Sequence, residues 1–484
     1  MRTGAGRRPP RRTAIRIAAL GLIGALSASL LLVAVVPSAH AAPRKGLSLG
    51  FMDGVYRSTD PAERALWLDR TVAVGADSVT LLASWRSIAG EEPADPASPA
   101  DPAYEWSRLD AAVRDATARG LRVMITINQA PAWAEGPNRD PDAPNGSWKP
   151  SPPKLAQFAR AIATRFSGSF PDPAVPGATL PRVSEWQVWA EPNGRTVLTP
   201  QWERAKGRLR MFSPVHYRKM LNAAYAAIKA VARSNLVIAA GTAPFGDYVR
   251  GGFGARIPPV RFWRELFCLR NRKSRKGCPV RADVVAHNPL GAFGGLGPWK
   301  HAPQNDDVLI PDMKKLAGVV RAARRHKTIR PGGRKPLWVT ELLWETNPPD
   351  PSGVSPALQA QYLSDSLYLL WRQGVSEVHW VQIEDDPGGI LQSGLYFENG
   401  EPKPSRQAFR FPFSAERRRG RTTVWGITPS PGQVQIQRQS GGGWVTIKTL
   451  RAGSSGVFTG KVPGSGAELR AAAGGETSLS RRPR

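Results

Sequence analysis

Between residues 47 and 410 the sequence alternates strand-like and helix-like segments eight times, and few folds accommodate that rhythm. Its punctuation is regular. Asp60-Pro61-Ala62-Glu63 reads as a helix start in which Asp caps, Pro takes the first turn and Glu completes a capping box. Ser151-Pro152, Ser213-Pro214 and Ser355-Pro356 open further helices, while Gly75, Gly120 and Gly374 close helices. After Ser213, the residues Tyr217, Met220, Leu221, Ala224, Tyr225, Ile228 and Val231 form an apolar stripe at helical spacing. Between helices lie short, mostly apolar runs: 47–52, 78–83, 121–127, a run ending at Trp189, 236–240, 283–287, 337–341 and 377–382. Apolar strands separated by helices predict a parallel sheet covered by helices. Eight units predict a (β/α)8 barrel over 45–413. An open doubly wound sheet is the alternative, weakened because no Gly-rich phosphate loop follows the first strand.

The ends of the chain read differently. From about Arg417, short β runs alternate with Gly, Pro and Ser turns, which predicts a small β-sandwich-like domain over 417–473 and a polar, disordered tail over 474–484. Trp425 and Trp444 are expected to fill its thin core, with sugar binding as the alternative. At the other end, residues 1–16 carry six Arg and no acid, and 17–36 are an uninterrupted run of apolar and small residues. Ala39-His40-Ala41 then offers a cleavage site, so residues 1–41 read as a signal peptide. The apolar run is also long enough for an uncleaved anchor. Either way the remainder is expected to be secreted or extracytoplasmic. Cys268 and Cys278 bracket a basic loop, and in an oxidising compartment a disulfide is expected. A zinc site would need more ligands than this loop offers.

The formal charge is +29, and removal of the six Arg of 1–41 leaves +23. Such a charge predicts adhesion to anionic polymers. For an exported chain with no nucleic-acid motif this means an anionic cell-wall polymer rather than nucleic acid. Tryptophan is abundant, 16 against 8 Tyr. Indole faces suit the C–H faces of sugars, although many of the 16 will be core.

Two stretches carry chemistry. In EWQVWAEPNG (185–194) an apolar run gives way to Glu191, Pro192 and an Asn193-Gly194 turn. In PLWVTELLWET (336–346) a similar run leads into Glu341. On a barrel both carboxylates reach the C-terminal mouth, and two that converge there are the minimum equipment for glycoside hydrolysis. At the same level we expect Asp53, Trp85, Asn128, Trp133, Asn193, His287, Asn288 and Trp380 to contact substrate. The Cys-bracketed loop precedes a strand and falls at the opposite rim.

The order of these parts resembles the clan A retaining glycoside hydrolases of the cellulase and β-xylosidase type, with family 39 nearest. The resemblance covers about 45–413. Val188-Trp189-Ala190-Glu191-Pro192-Asn193 is similar to the clan's acid/base motif, and Trp338-Val339-Thr340-Glu341 to its nucleophile motif. Pro131-Ala132-Trp133-Ala134 resembles the loop after strand three. The resemblance implies that Glu341 attacks the anomeric carbon while Glu191 protonates the leaving oxygen, then activates water, with retention of configuration. It implies no metal and no organic cofactor, and we expect a monomer. Three positions depart from the clan. Its Asn before the acid/base is Ala190, its strand-two Arg is Thr80, and its aromatic hydroxyl near the end of strand six is replaced in His287-Asn288-Pro289-Leu290. Loss of the 2-OH contact at Ala190 implies that another side chain, Asn193 or Asn288, replaces it, that the substrate differs at that carbon, or that catalysis has decayed. The competing reading is therefore a non-catalytic barrel that binds wall polysaccharide.

Overall fold

The structure, a computed structural model, describes residues 46–248, 255–270, 273–274, 278–290, 296–389, 391–464 and 466–484. The predicted signal peptide and much of the Cys-bracketed loop lie outside the described residues. Eight strands close into a parallel barrel: β1 (Ser48–Met52), β2 (Ser78–Ser84), β3 (Arg122–Asn128), β4 (Glu185–Val188), β5 (Leu236–Thr242), β6 (Val284–His287), β7 (Leu337–Leu342) and β8 (Val375–Trp380). Neighbours follow chain order, and β1 pairs with β8 to complete the ring. Closure leaves no free edge.

The principal helices are α1 (Pro61–Ala73), α2 (Ser107–Ala118), α3 (Pro152–Arg165), α4 (Ser213–Val231), α5 (Pro259–Leu266), α6 (Met313–Arg325), α7 (Pro356–Arg372) and α8 (Pro404–Arg410). Most start where Pro follows a capping position. Asp60 accepts the Ala62 N–H at 2.9 Å, as a cap should. The other half of the expected capping box is replaced: Glu63 accepts from the Ser58 hydroxyl, and the Asp60 N–H donates to that same hydroxyl. On α4 the predicted stripe faces inward, with Tyr217, Met220, Leu221, Ala224 and Ile228 buried.

Inside the barrel the filling is uneven. Met124, Ile238, Val284, Ala286 and Trp338 form one apolar cluster. Opposite them, at the N-terminal end of the strands, Arg122 donates to Glu185, to Glu377 at 3.0 Å and to the Ser48 hydroxyl at 2.8 Å. His379 joins this network through Glu377 at 2.9 Å and Thr80 at 2.6 Å. Thr80, where the clan has Arg, therefore belongs to a buried polar floor.

Seven further strands follow. β9 (Phe413–Arg418), β10 (Arg421–Ile427) and β13 (Val457–Pro463) form one antiparallel sheet. β11 (Gly432–Ser440), β12 (Gly443–Ala452), β14 (Leu469–Ala473) and β15 (Glu476–Thr477) form another. Phe411, Phe413, Val434, Ile436, Phe458 and Leu469 are among the residues that fill the core of this β-rich part. Trp425 does not belong to that core. It is fully buried against Tyr368 and Trp371 of α7, and so joins the β-rich part to the barrel. Trp444 is half-buried beneath the Arg470 guanidinium, 4.3 Å from its ring centre.

The expected disordered tail is instead ordered. β15 pairs with β14, and Arg481 bridges back to Leu469. The Arg481 guanidinium reaches a buried Asp365 on α7 at 2.6 Å, where the Ser414 hydroxyl and the Trp299 indole N–H also donate. Polar composition misled here because Arg481 and Glu476 are spent on specific partners, Asp365 and Arg410, rather than on water. Cys268 and Cys278 are bonded, with Cα atoms 6.3 Å apart. Among the described residues no helix is long and apolar enough to cross a membrane.

Removing one partner of a buried ion pair leaves the other charge stranded, at a cost of about 3–5 kcal/mol. Arg481→Ala should therefore lower the thermal unfolding midpoint by several degrees, whereas the double substitution Arg481→Met with Asp365→Asn should recover most of the loss. Unchanged calorimetric midpoints in the single variant would mean that the tail does not hold the two parts together.

Candidate active site

The C-terminal ends of β4 to β7 depart from ideal strand geometry at the positions where the carboxylates sit. β4 ends at Val188, after which Trp189 (φ +65°) and Glu191 (φ +45°) adopt left-handed backbone conformations that non-glycine residues rarely occupy. The freed backbone groups have partners. The Trp189 N–H donates to the Ile127 carbonyl at 2.8 Å, and the Glu191 N–H to the Gly241 carbonyl at 2.9 Å. The Tyr217 hydroxyl, from α4, donates to the Val188 carbonyl and accepts the Ala240 N–H, both at 2.7 Å.

Two register shifts aim the site. Ala286 pairs with Ala240 but His287 with Thr242, so β5 carries an extra residue at Gly241. A Cβ at Gly241 would lie 2.7 Å from the Gln187 side chain and 2.8 Å from the Thr340 hydroxyl, so only glycine fits there. On β7, Val339 pairs with Val378 and Leu342 with Trp380, three steps against two. Strict alternation would have put Glu341 on the outer face with Leu337 and Val339. The extra residue turns it inward instead. Glu341 is the one residue of β7 that is not fully buried, and Glu191 is likewise half-buried.

Asn288 acts on both. Its amide nitrogen donates to Glu191 Oε1 at 3.4 Å, and its side chain also pulls the Glu341 carboxyl down. Its own oxygen accepts from the Thr340 hydroxyl at 2.9 Å. Burial pushes the Glu191 carboxyl up to about 7, against the pull of Asn288 and Arg256. Burial and then the charge of Glu191 push Glu341 up to about 8. Two carboxyls that repel one another share a proton through the neutral range and titrate as a pair.

The other expected contact residues divide sharply. Trp133 is half-buried, with its indole N–H given to the Ala89 carbonyl and Lys154 Nζ 5.1 Å from its ring centre. Asn128 is buried at the end of β3, where its side-chain oxygen accepts the Gln129 N–H. Five others are engaged with the protein's own atoms. Trp85 is wholly buried and stacks on Phe158. Trp380 is buried too, stacked on Trp344 with its N–H on the Ser393 carbonyl. The Asn193 amide is fully committed to backbone: it donates to Ala243 and Ile257 carbonyls and accepts the Ala243 N–H. His287 is held between the Thr242 hydroxyl and the Val308 carbonyl, and burial depresses it to about 4, so it is neutral. Asp53 accepts backbone N–H groups of Val55, Ile383 and Glu384, tying the end of β1 to the segment after β8. In each case a polar or aromatic residue near the mouth braces a loop from behind. Thr340, Gly241 and Tyr217 were not anticipated. Of these, only Gly241 carried a sequence signal, as a glycine within a strand.

An eight-stranded parallel barrel with carboxylates at the ends of its fourth and seventh strands is the class of architecture that the chain adopts. Among solved structures it is similar to a family 39 glycoside hydrolase from the gut symbiont Bacteroides cellulosilyticus WH2, at 17% identity and a TM-score of 0.53, covering 87% of this chain and 80% of that one. A glucosidase from Croceicoccus marinus (14% identity, TM-score 0.48, covering 87% and 81%) and a GH5_18 protein from Streptomyces cattleya in complex with GlcNAc (16%, 0.49, covering 76% and 79%) are looser likenesses. No protein-family profile matches the chain, and no curated protein matches it. The shared fold is thus carried by architecture at low identity.

The raised carboxyls have a consequence for stability. An acid whose folded value exceeds its unfolded one binds its proton more tightly when folded, so the folded state is penalised progressively as pH climbs from the ordinary carboxylate range toward 8. Glu341→Gln removes that penalty. Its unfolding midpoint should exceed that of the wild type at pH 8 and converge with it near pH 4.5. A difference independent of pH would show that the Glu341 carboxyl is not raised in the folded protein.

Proposed function

We propose that this protein is a secreted retaining β-glycosidase in which Glu341 is the nucleophile and Glu191 the acid/base. The observation that carries the reading is the pair Glu191 and Glu341: two half-buried carboxyls at one barrel mouth that repel one another, with the Asn288 amide hydrogen-bonded to Glu191. Their chemistry is that of a double displacement. Burial raises Glu341 further than Glu191, but the pair titrates jointly, and the double displacement runs through the form with its one proton on Glu191. Ionised Glu341 attacks the anomeric carbon as Glu191 delivers that proton to the departing oxygen, and Glu191 then takes a proton from the incoming water. The 2-OH contact that Ala190 cannot make falls to neither Asn193 nor Asn288, since both amides are buried and already hydrogen-bonded within the protein. Trp133 and Asn128 are the remaining candidates for sugar contact. Export is supported by the N-terminal sequence and by the disulfide.

A concentrated basic groove on the outer surface supports adhesion to an anionic wall polymer. A groove of about 640 Å³ beside α6 is lined by Arg321, Arg324, Arg325, Lys327 and Arg330, with no acidic residue in its lining. It lies at the C-terminal end of α6, toward the barrel floor, so it would hold the polymer away from the catalytic mouth.

The test is hydrolysis of a panel of aryl β-glycosides by residues 42–484. Glu341→Gln should abolish turnover. Glu191→Gln should lower kcat/KM by roughly 10²–10⁴-fold on unactivated leaving groups and far less on dinitrophenyl glycosides, which need no acid to depart, while kcat falls on both because Glu191 also activates the water. Full activity in either variant would overturn the assignment. No turnover by the wild type, with polysaccharide still bound, would favour the non-catalytic reading.

A further inference from the structure

Beside Glu191 lies a cavity of about 460 Å³, lined among others by Arg195, Phe245, Asp247, Arg256 and Leu290. Glu341 does not border it. In a double displacement the acid stands next to the oxygen that departs, whereas the nucleophile lies beneath the anomeric carbon. A pocket that touches the acid alone therefore lies on the leaving-group side.

Its charges do not balance. Arg256 is committed to Asp247: Nε and Nη2 donate to Oδ1 at 3.1 and 2.8 Å, and the Arg256 backbone N–H donates to Oδ2 at 2.9 Å. Burial pushes the Asp247 carboxyl up, but the Arg256 hydrogen bonds and the charges of Arg256 and Arg195 outweigh it and hold Asp247 ionised. Those two charges cancel. Arg195 is left over, exposed, with no hydrogen bond or ion pair to any described residue.

For the chemistry alone, positive charge is in the wrong place. A cation near a general acid favours its ionised form, and Arg256 already acts on Glu191 in that direction. An anion seated on Arg195 would offset this and keep the acid protonated when substrate is bound. Phe245 and Leu290 supply apolar wall for a ring, and a guanidinium suits a carboxylate through two parallel N–H donors.

We propose that this cavity is a leaving-group subsite for a carboxylate-bearing residue, such as a uronate unit of an acidic polysaccharide, with Arg195 as the specificity-determining group. The inference rests on the glycosidase reading above, since only cleavage makes one side of Glu191 the leaving-group side. It narrows the substrate to an acidic glycan.

Two aryl β-glycosides of the same sugar test it: the 4-carboxyphenyl glycoside and its uncharged 4-carbamoylphenyl counterpart. The sugar is the one the panel identifies, or glucose if it identifies none. The wild type should favour the carboxylate in kcat/KM by about tenfold or more, as a hydrogen bond to a charged group predicts. That ratio should collapse toward one in Arg195→Gln, recover in part in Arg195→Lys and shrink with added salt. Cleavage of both compounds at equal efficiency by the wild type would overturn the subsite while leaving the glycosidase reading intact. A ratio preserved in Arg195→Gln would overturn the role of Arg195. If neither compound is cleaved, the glycosidase reading fails and the leaving-group subsite with it, and calorimetric binding of the same pair then decides whether the cavity binds a carboxylate at all: equal affinity overturns that too, and tighter binding of the carboxylate upholds it as a carboxylate site.

Discussion

Closing eight parallel strands pairs every edge and leaves an interior that must be filled, and in this protein one arginine spans part of it. Arg122, at the start of β3, reaches Glu185 on β4, Glu377 on β8 and Ser48 on β1. Barrel interiors are usually packed with branched apolar side chains. Here such packing is confined to the side of Met124, Ile238, Val284, Ala286 and Trp338, and the rest of the floor is polar. Ionic filling is not a cheap source of stability, but its geometry is specific, because each charge is costly unless its partners are in place. It ties four strands together at the end opposite the mouth, and the departures from regular geometry at the mouth stand on that fixed base.

Those departures have a common cause. A parallel strand with strict alternation sends neighbouring side chains to opposite faces, so an apolar strand has no natural way to turn a final carboxylate inward among residues that must pack outward. One extra residue solves this on β7, and another on β5 opens room at Gly241 for the Gln187 and Thr340 side chains. The left-handed backbone at Trp189 and Glu191 does the corresponding work on β4. Strain of this kind persists only where its surroundings over-determine it. Here the Tyr217 hydroxyl, the Gly241 carbonyl and the Asn193 amide all take up backbone groups that the irregular turn would otherwise leave bare.

This also explains why polar residues near a mouth are poor guides to ligand contact. Asn193, His287 and Asp53 looked like groups aimed at a substrate, yet each spends its hydrogen-bonding capacity on the protein's own loops. Trp85 and Trp380 sit at the expected level and still face inward onto Phe158 and Trp344. Loops that depart from regular structure carry unpaired backbone N–H and C=O groups, and buried ones need partners. A site built on such loops therefore surrounds itself with polar braces whose residue types match those of binding groups.

The sequence by itself determined the element order, because Pro after a cap, Gly after a last turn and short apolar runs are local signals that act within a few residues. Boundaries of the barrel strands and their helices fell within about two residues of those read from the chain, and Glu191 and Glu341 were legible because each interrupts an apolar run. What depended on tertiary structure was everything set by partners distant in the chain. That Glu191 and Glu341, 150 positions apart, repel one another with Asn288 bonded to the first, that Arg195 stands exposed with no ion pair to any described residue, that Trp425 packs on a barrel helix and that the polar tail docks through Arg481 onto Asp365 all follow from which surfaces closure brings together. Propensity acts between neighbours, whereas burial and charge pairing act between whatever the closed barrel places side by side.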